Sequence, residues 1–169
     1  MPIDRPLAER LTKLIGVLDA AHAREHSLEV HLPFLQVALD QFALVPIVAG
    51  DASPEAVVAL LDAVWAGPET LIVVSTDLSH YLDYRSCQAT DRHTAAAIER
   101  LDPGGLGPQS ACGRVPVRGL LAAAKRRGMS IVRLDLRNSG DTAGSRDRVV
   151  GYGSWALFEP SAQQPTEGG

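Results

Sequence analysis

Residues 70–75 read T-L-I-V-V-S and are apolar at almost every position. A strand with one face in water alternates apolar and polar residues, so a continuous apolar run is typical of a central strand covered on both faces. Helices usually provide that cover on the two sides of a sheet. This one segment therefore favours a layered α/β fold over an all-helical or all-β fold.

Helix and strand patterns alternate along the rest of the chain, which favours a largely parallel sheet. Apolar residues at helical spacing predict helices at 6–18, 23–42, 54–65, 89–101 and 117–127. Strand-like apolar runs fall at 44–49, 131–136 and 149–158. We predict an α/β layered sandwich with a mostly parallel central sheet, in which residues 1–159 form one domain. The polar residues 160–169 are predicted to be a disordered tail.

Composition and charge narrow the function classes. The chain has 169 residues and a formal net charge of −4, which argues against nucleic-acid binding because that usually needs a basic face. No apolar run reaches the roughly 18 residues needed to span a bilayer, so no membrane segment is predicted. Cys87 and Cys112 form no C-x-x-C pair and residues 1–14 lack an apolar signal-peptide core. Together these features predict a reducing, cytoplasmic setting.

The polar loop after the apolar run is the first candidate site. Asp77 and His80 would emerge at the carboxyl end of a strand, where α/β folds place their sites. A histidine there can move protons near neutral pH, and a neighbouring carboxylate can fix its tautomer. The alternative is that Asp77 caps a turn and His80 packs.

A cysteine before a predicted helix is the second candidate. Cys112 lies beside the start of the helix at 117–127, and a helix N-terminus makes a thiol a better ligand or nucleophile. The alternative is a buried apolar cysteine. Cys87 has no comparable setting and is interpreted as structural. The motif N-S-G-D at 138–141 is weak on its own, because Asp141 can serve as a turn cap.

The stretch H-A-R-E-H at 22–26 fits the pattern H-x-x-E-H. On a helix, His22 and His26 would share a face, with Glu25 beside them as a base and Glu99 as a third ligand. This is the inverted zinc-peptidase pattern. It offers a zinc hydrolase as an alternative function, although such a short pattern is easily met by chance.

Four stretches, taken together and in order, resemble the Memo family, known in bacteria and archaea as AmmeMemoRadiSam system protein B. Each corresponds to a family signature: residues 25–34 to E-H-S-x-E-x-x-L-P-[FY], 75–81 to S-[ST]-D-L-S-H-[YW], 111–117 to C-G-x-x-P-[IV], and 138–154 to S-G-D…V-V-G-Y-[AG]-[SA]. The resemblance implies a fold similar to class III extradiol dioxygenases.

The resemblance also implies a site. Cys112 would be a metal ligand, Asp77 and His80 would be catalytic with His80 as the acid/base group, and His26 and Asp141 would line the cleft. The implied metal is iron or copper. The implied partners are a radical-SAM protein and an AMMECR1-like protein.

The sequence departs from the family in one respect. Family members begin with a segment holding a P-H-A-G-Y loop and a G-x-x-H loop, which supply two histidine ligands, and neither loop occurs here. The domain is therefore expected to be N-terminally incomplete, with a sheet edge open to homo-oligomerisation. The chain is expected to be a non-haem metal-binding redox or dioxygenase-related protein of unknown substrate. It is expected to be inactive if it is truncated. The alternatives are a non-catalytic Memo-type scaffold and the zinc hydrolase.

Overall fold

The computed structural model describes residues 2–65, 67–142 and 144–160. Within these ranges there are six α-helices, which in chain order are α1 Arg5–Leu11, α2 Asp19–His22, α3 Leu32–Ala38, α4 Pro54–Val64, α5 Tyr84–Glu99 and α6 Arg114–Arg126. The three strands are β1 His80–Leu82, β2 Ser130–Asn138 and β3 Val149–Phe158. The fold is mixed α/β, as predicted. The predicted tail falls, apart from Pro160, outside the described residues.

Local capping chemistry sets where the longer helices begin and end. The Ser53 hydroxyl accepts the Ala56 N–H at 3.2 Å and Pro54 opens α4, because proline needs no donor in the first turn. The Asp83 carboxylate accepts two N–H groups and starts α5 five residues earlier than its apolar pattern predicts. Helix α6 ends at Arg126, shortly before Gly128, whose φ of +65° suits glycine.

The single helix predicted at 23–42 is wrong. Within that range the structure has one short helix, α3, which begins at Leu32, and turns separate it from α2, which ends at His22. Pro33 lies in the first turn of α3, where its missing N–H costs nothing. The leucine spacing continues across the break, but a proline inside one long helix would remove a backbone hydrogen bond, so the chain restarts there.

The sheet also differs from the prediction. Its order is β1–β3–β2, and both pairings are antiparallel. In the β2–β3 ladder Ser130 pairs with Phe158 and Asn138 pairs with Gly151, so these strands form a hairpin. The parallel pairing within the described ranges is an isolated bridge between Ile3 and Leu44. A short connection between neighbouring strands makes them antiparallel, because parallel strands need a long crossover. The predicted mostly parallel sheet and layered sandwich are therefore not confirmed.

Residues 70–75 do not form a strand, and only one of the two faces of this segment is covered. The side chains of Leu71 and Val73 are 66% and 48% exposed. The alternate side chains of Ile72 and Val74 pack inward against two different core clusters. Half of the predicted burial is therefore present among the described residues, and the other face of the segment lies open.

Helix α6 joins the two core clusters. Val117 and Leu121 pack with residues of α5, while Ala123 packs with Val57 and Leu61 of α4. Each fully buried Leu or Val stabilises the fold by roughly 1.5–3 kcal/mol. This packing fixes α6 and therefore holds the cysteine that precedes it beside the loop after residue 75. None of the helices in the described ranges has the length and apolar character that crossing a membrane requires.

Candidate functional site

Three predicted side chains come together on one side of the molecule. Asp77 lies in the loop before β1, His80 is the first residue of β1, and Cys112 lies in the turn before α6. One oxygen, one nitrogen and the sulfur of these residues all lie within 4.8 Å of one another. The predicted convergence of these three residues is therefore observed, although they lie on different segments of the chain.

Backbone hydrogen bonds tie the two segments directly to each other. The Asp77 N–H donates to Cys112 Sγ at 3.2 Å, and the Cys112 N–H donates to the Asp77 carbonyl at 3.3 Å. The Gly113 N–H donates to Thr76 Oγ1 at 2.8 Å. A Cβ at position 113 would lie 2.7 Å from Thr76 Cβ, so this approach requires glycine. The position of the thiol is thus set by main-chain atoms.

The imidazole and carboxylate of the cluster face solvent in part. His80 Nε2 lies 3.4 Å from Asp77 Oδ2, and the two side chains are 35% and 47% exposed. Cys112 is also exposed, which rules out its alternative interpretation as a buried apolar residue. The cluster therefore offers a nitrogen, an oxygen and a sulfur atom at an accessible position.

A buried polar network lies directly beneath the cluster. The Ser79 N–H donates to Asp91 Oδ1 at 3.0 Å, and the Cys87 thiol donates to the other Asp91 oxygen at 3.1 Å. The Ser79 hydroxyl donates to Cys87 Sγ at 3.3 Å. Burial raises the pKa of the Cys87 thiol to about 11, so this thiol stays protonated and acts as a donor. Cys87 is structural, as its sequence setting indicates.

The network also fixes the strand next to His80. Gly151 donates its N–H to the Ser79 carbonyl at 2.8 Å and accepts the Leu78 N–H at 2.9 Å. A Cβ at position 151 would lie 1.8 Å from Asp91 Oδ2. Sequence reasoning missed Asp91, although one signal was available. It is an acid in the buried stripe of α5, four residues after Cys87 and three before Thr94.

His26 is not a member of the cluster. Its side chain is 78% exposed, and Nδ1 lies 2.7 Å from Glu29 Oε1, a contact that raises the pKa of the imidazole. The histidine that does reach the loop is His31, whose Nε2 lies 2.9 Å from Ser75 Oγ. Sequence reasoning missed His31 because the contact joins distant parts of the chain.

Asp141 lies outside the cluster as well and acts as a cap. Its Oδ1 accepts the Tyr84 hydroxyl at 2.5 Å and its Oδ2 accepts the Asn138 N–H at 2.9 Å. The hydrogen bond from Tyr84 is the main cause that lowers the pKa of the Asp141 carboxyl. The turn-cap interpretation of this residue therefore fits the structure, and Asp141 borders a separate cleft between α5 and β2.

The zinc-peptidase arrangement is not formed. Helix α2 ends at His22, so His22 and His26 do not share a helical face. Glu25 Oε1 accepts the N–H groups of His26 and Ser27 at 2.9 and 2.8 Å, which makes it a turn residue. The zinc hydrolase alternative is therefore wrong, because the pattern requires one continuous helix.

The fold and the cluster describe a mixed α/β protein with a thiol, an imidazole and a carboxylate gathered where a transition metal could bind. A profile of the Memo-like protein family matches residues 1–156. The chain belongs to this family, as its four motifs indicated.

Curated relatives carry the same family description. A MEMO1 family protein of Methanosarcina barkeri is 34% identical over 164 residues, covering 89% of this chain and 62% of the relative. One from Sulfolobus acidocaldarius is 34% identical over 155 residues, covering 85% of this chain and 55% of the relative. A third, from Methanothermobacter thermautotrophicus, is 34% identical over 166 residues. The chain spans less than two thirds of the length of these relatives.

Proposed function

We propose that this chain carries part of a non-haem metal site in a Memo-type redox or dioxygenase-related protein. In this proposal Cys112 is a ligand of iron or copper, and His80 and Asp77 form the proton-transfer pair beside it. The observation that carries the proposal is the convergence of the three side chains within 4.8 Å. The substrate class stays open.

The donor set suits such an ion. His80 Nε2 and Asp77 Oδ2 lie 3.4 Å apart, and both lie within 4.8 Å of Cys112 Sγ. A metal held by the Cys112 thiolate at about 2.3 Å would therefore have the proton-transfer pair beside it. A thiolate favours copper(I) and iron over magnesium or calcium, which take oxygen ligands. The bound metal would supply Lewis-acid or redox chemistry.

In this proposal His80 would transfer the proton, with Asp77 beside it. An imidazole can both donate and accept a proton, and the Asp77 carboxylate at 3.4 Å can orient the ring. The partial exposure of His80 leaves room for a substrate to reach the ring. Because Asp77 also holds Cys112 through its backbone, one residue couples the proton carrier to the thiol.

The proposal expects weak metal binding by these 169 residues. The two further histidine ligands implied by the family resemblance have no counterpart in this sequence. Cys112 as the one proposed ligand leaves most coordination positions of an ion open. We therefore expect substoichiometric iron or copper in the purified chain, and tight stoichiometric binding would contradict the expectation.

The test is a competition titration of copper(I), and of iron(II) without oxygen, against a chromophoric chelator. Cys112→Ser should weaken the affinity by at least about tenfold, since it removes the soft ligand. Cys87→Ser is the matched control, because that thiol is buried and bonded to Asp91. Equal affinities for the two variants would show that Cys112 is not a ligand and would refute the proposal.

A second candidate is a non-catalytic scaffold that binds partners through this face. The exposed apolar side chains of Leu71 and Val73, two residues apart on the open face of this segment, favour it, because exposed apolar surface is typical of interaction sites. The candidate partners are a radical-SAM protein and an AMMECR1-like protein, and the setting is the cytoplasm. Titration with either partner distinguishes the candidates. A scaffold would bind Cys112→Ser as tightly as the parent protein and lose affinity with Leu71→Lys.

A further inference from the structure

A second cleft, separate from the cluster of Asp77, His80 and Cys112, lies between α5 and β2. It has a volume of about 350 Å³. Its lining residues include three arginines, one glutamine and two aspartates, namely Arg92, Arg133, Arg137, Gln88, Asp91 and Asp141. Three guanidinium groups around one cleft repel one another, and the chain as a whole has a net charge of −4.

The two aspartates do not satisfy these arginines. Both oxygens of Asp91 are already used, by the Ser79 N–H and the Cys87 thiol. Both oxygens of Asp141 are used as well, by the Tyr84 hydroxyl and the Asn138 N–H. Each of these four oxygens accepts one hydrogen bond from the fold, and among the described residues neither aspartate forms an ion pair with Arg92, Arg133 or Arg137.

The donors that border the cleft are only partly used. Arg133 Nη1 lies 3.3 Å from Glu99 Oε1, and Arg137 Nε lies 2.5 Å from Asp135 Oδ2. Arg92 has no ion-pair partner among the described residues. Since a guanidinium presents N–H groups on both edges and accepts nothing, the cleft holds a surplus of donors.

We propose that this cleft binds a small oxyanion, such as the phosphate or carboxylate group of a metabolite. An oxyanion is the ligand that offers acceptors only, and it matches the planar fork of arginine in two parallel hydrogen bonds. The volume lies near the lower end of small-molecule sites, so a small ligand fits better than a dinucleotide. This site is distinct from the proposed metal site, and each can fail without the other.

Calorimetric titration of the chain with inorganic phosphate tests the proposal, with sodium chloride holding the ionic strength constant. We expect one site with a dissociation constant on the order of 1 mM. Acetate titrated in the same way separates a phosphate preference from a carboxylate preference. Arg92→Ala should weaken binding at least fivefold, and Arg92→Lys should restore only part of it, because lysine keeps the charge and loses the fork.

Arg100→Ala is the matched control, because Arg100 is an exposed arginine at the end of the same helix and does not line the cleft. It should change the affinity by less than twofold. Phosphate should also shift the NMR signals of the Gln88 side-chain amide in the unmodified protein, a readout that needs no variant to fold. Equal losses for Arg92→Ala and Arg100→Ala, or no heat and no shift at about 20 mM phosphate, would overturn the proposal.

Discussion

Gly151→Ala is the substitution that should most sharply test how the candidate site is supported. A Cβ at this position would lie 1.8 Å from Asp91 Oδ2 and 2.6 Å from the carboxylate carbon. Asp91 cannot move outward freely, because it is buried on α5 and holds both the Ser79 N–H and the Cys87 thiol. Either the β3 backbone retreats or the carboxylate leaves its partners.

The expected cost follows from these two responses. Overfilling a packed interior by one methyl group costs about 1–3 kcal/mol. Losing a hydrogen bond to a charged group costs roughly 1.5–3 kcal/mol more. When both responses contribute, the free energy of unfolding should fall by about 2.5–6 kcal/mol, which lowers the melting temperature by about 5–24 °C in a chain of this length.

Urea denaturation and amide hydrogen exchange measure the two effects separately. Leu61→Ala is the control, since Leu61 is buried between α4 and α6 and should cost about 2–5 kcal/mol when truncated. In that control, the protection of the Ser79 amide against hydrogen exchange should decrease only as much as the global stability decreases. In Gly151→Ala it should fall further, because the acceptor of that amide is itself displaced.

The reasoning fails if Gly151→Ala loses less than about 1 kcal/mol of stability, since overfilling a rigid interior costs at least that much. It also fails if the Ser79 amide stays as protected, relative to global stability, as it does in Leu61→Ala. Either result would mean that Asp91 is not the group that holds the strand beside His80.

Two further predictions concern pH and association. Burial raises the pKa of Cys87 from its usual value of 9.0 to about 11, so the folded state binds this proton more tightly than the unfolded state. The stabilisation is complete below pH 9 and is lost as the pH rises to 11, so the urea midpoint of the parent should fall in that window while the midpoint of Cys87→Ser lacks this fall. The open side of residues 70–75 should drive self-association. Leu71→Lys with Val73→Lys should therefore lower the sedimentation-average mass, and an unchanged mass would exclude this surface as the contact.

Elements governed by local chemistry were predictable from the sequence. The Ser53 cap and Pro54 placed the start of α4, and the observed Pro54–Val64 ends one residue before the predicted end. Strand β3 matches its predicted range of 149–158, and it ends two residues before Pro160. The contacts that start α4 lie within a few residues of each other, whereas β3 was indicated by its apolar run.

Elements that depend on distant contacts were not predictable in the same way. The apolar pattern of residues 70–75 predicts cover on both faces, but pattern alone cannot say which segment supplies it, and one face is open here. The candidate site shows the same limit. The motifs identified Asp77, His80 and Cys112, whereas the contact of His31 with Ser75 depends on the folded arrangement of separate segments.

Asp77 connects the two motifs that form the cluster, residues 75–81 and residues 111–117. Its backbone N–H and carbonyl hold Cys112 at 3.2 and 3.3 Å, which leaves its side chain to pair with His80 at 3.4 Å. The thiol position therefore depends on the path of the main chain, while the carboxylate is available for chemistry. Removing the carboxylate should disturb the imidazole and leave the thiol in place, whereas widening the turn at Gly113 should displace the thiol and leave the imidazole in place. The two halves of the site are thus separable, although a single residue joins them.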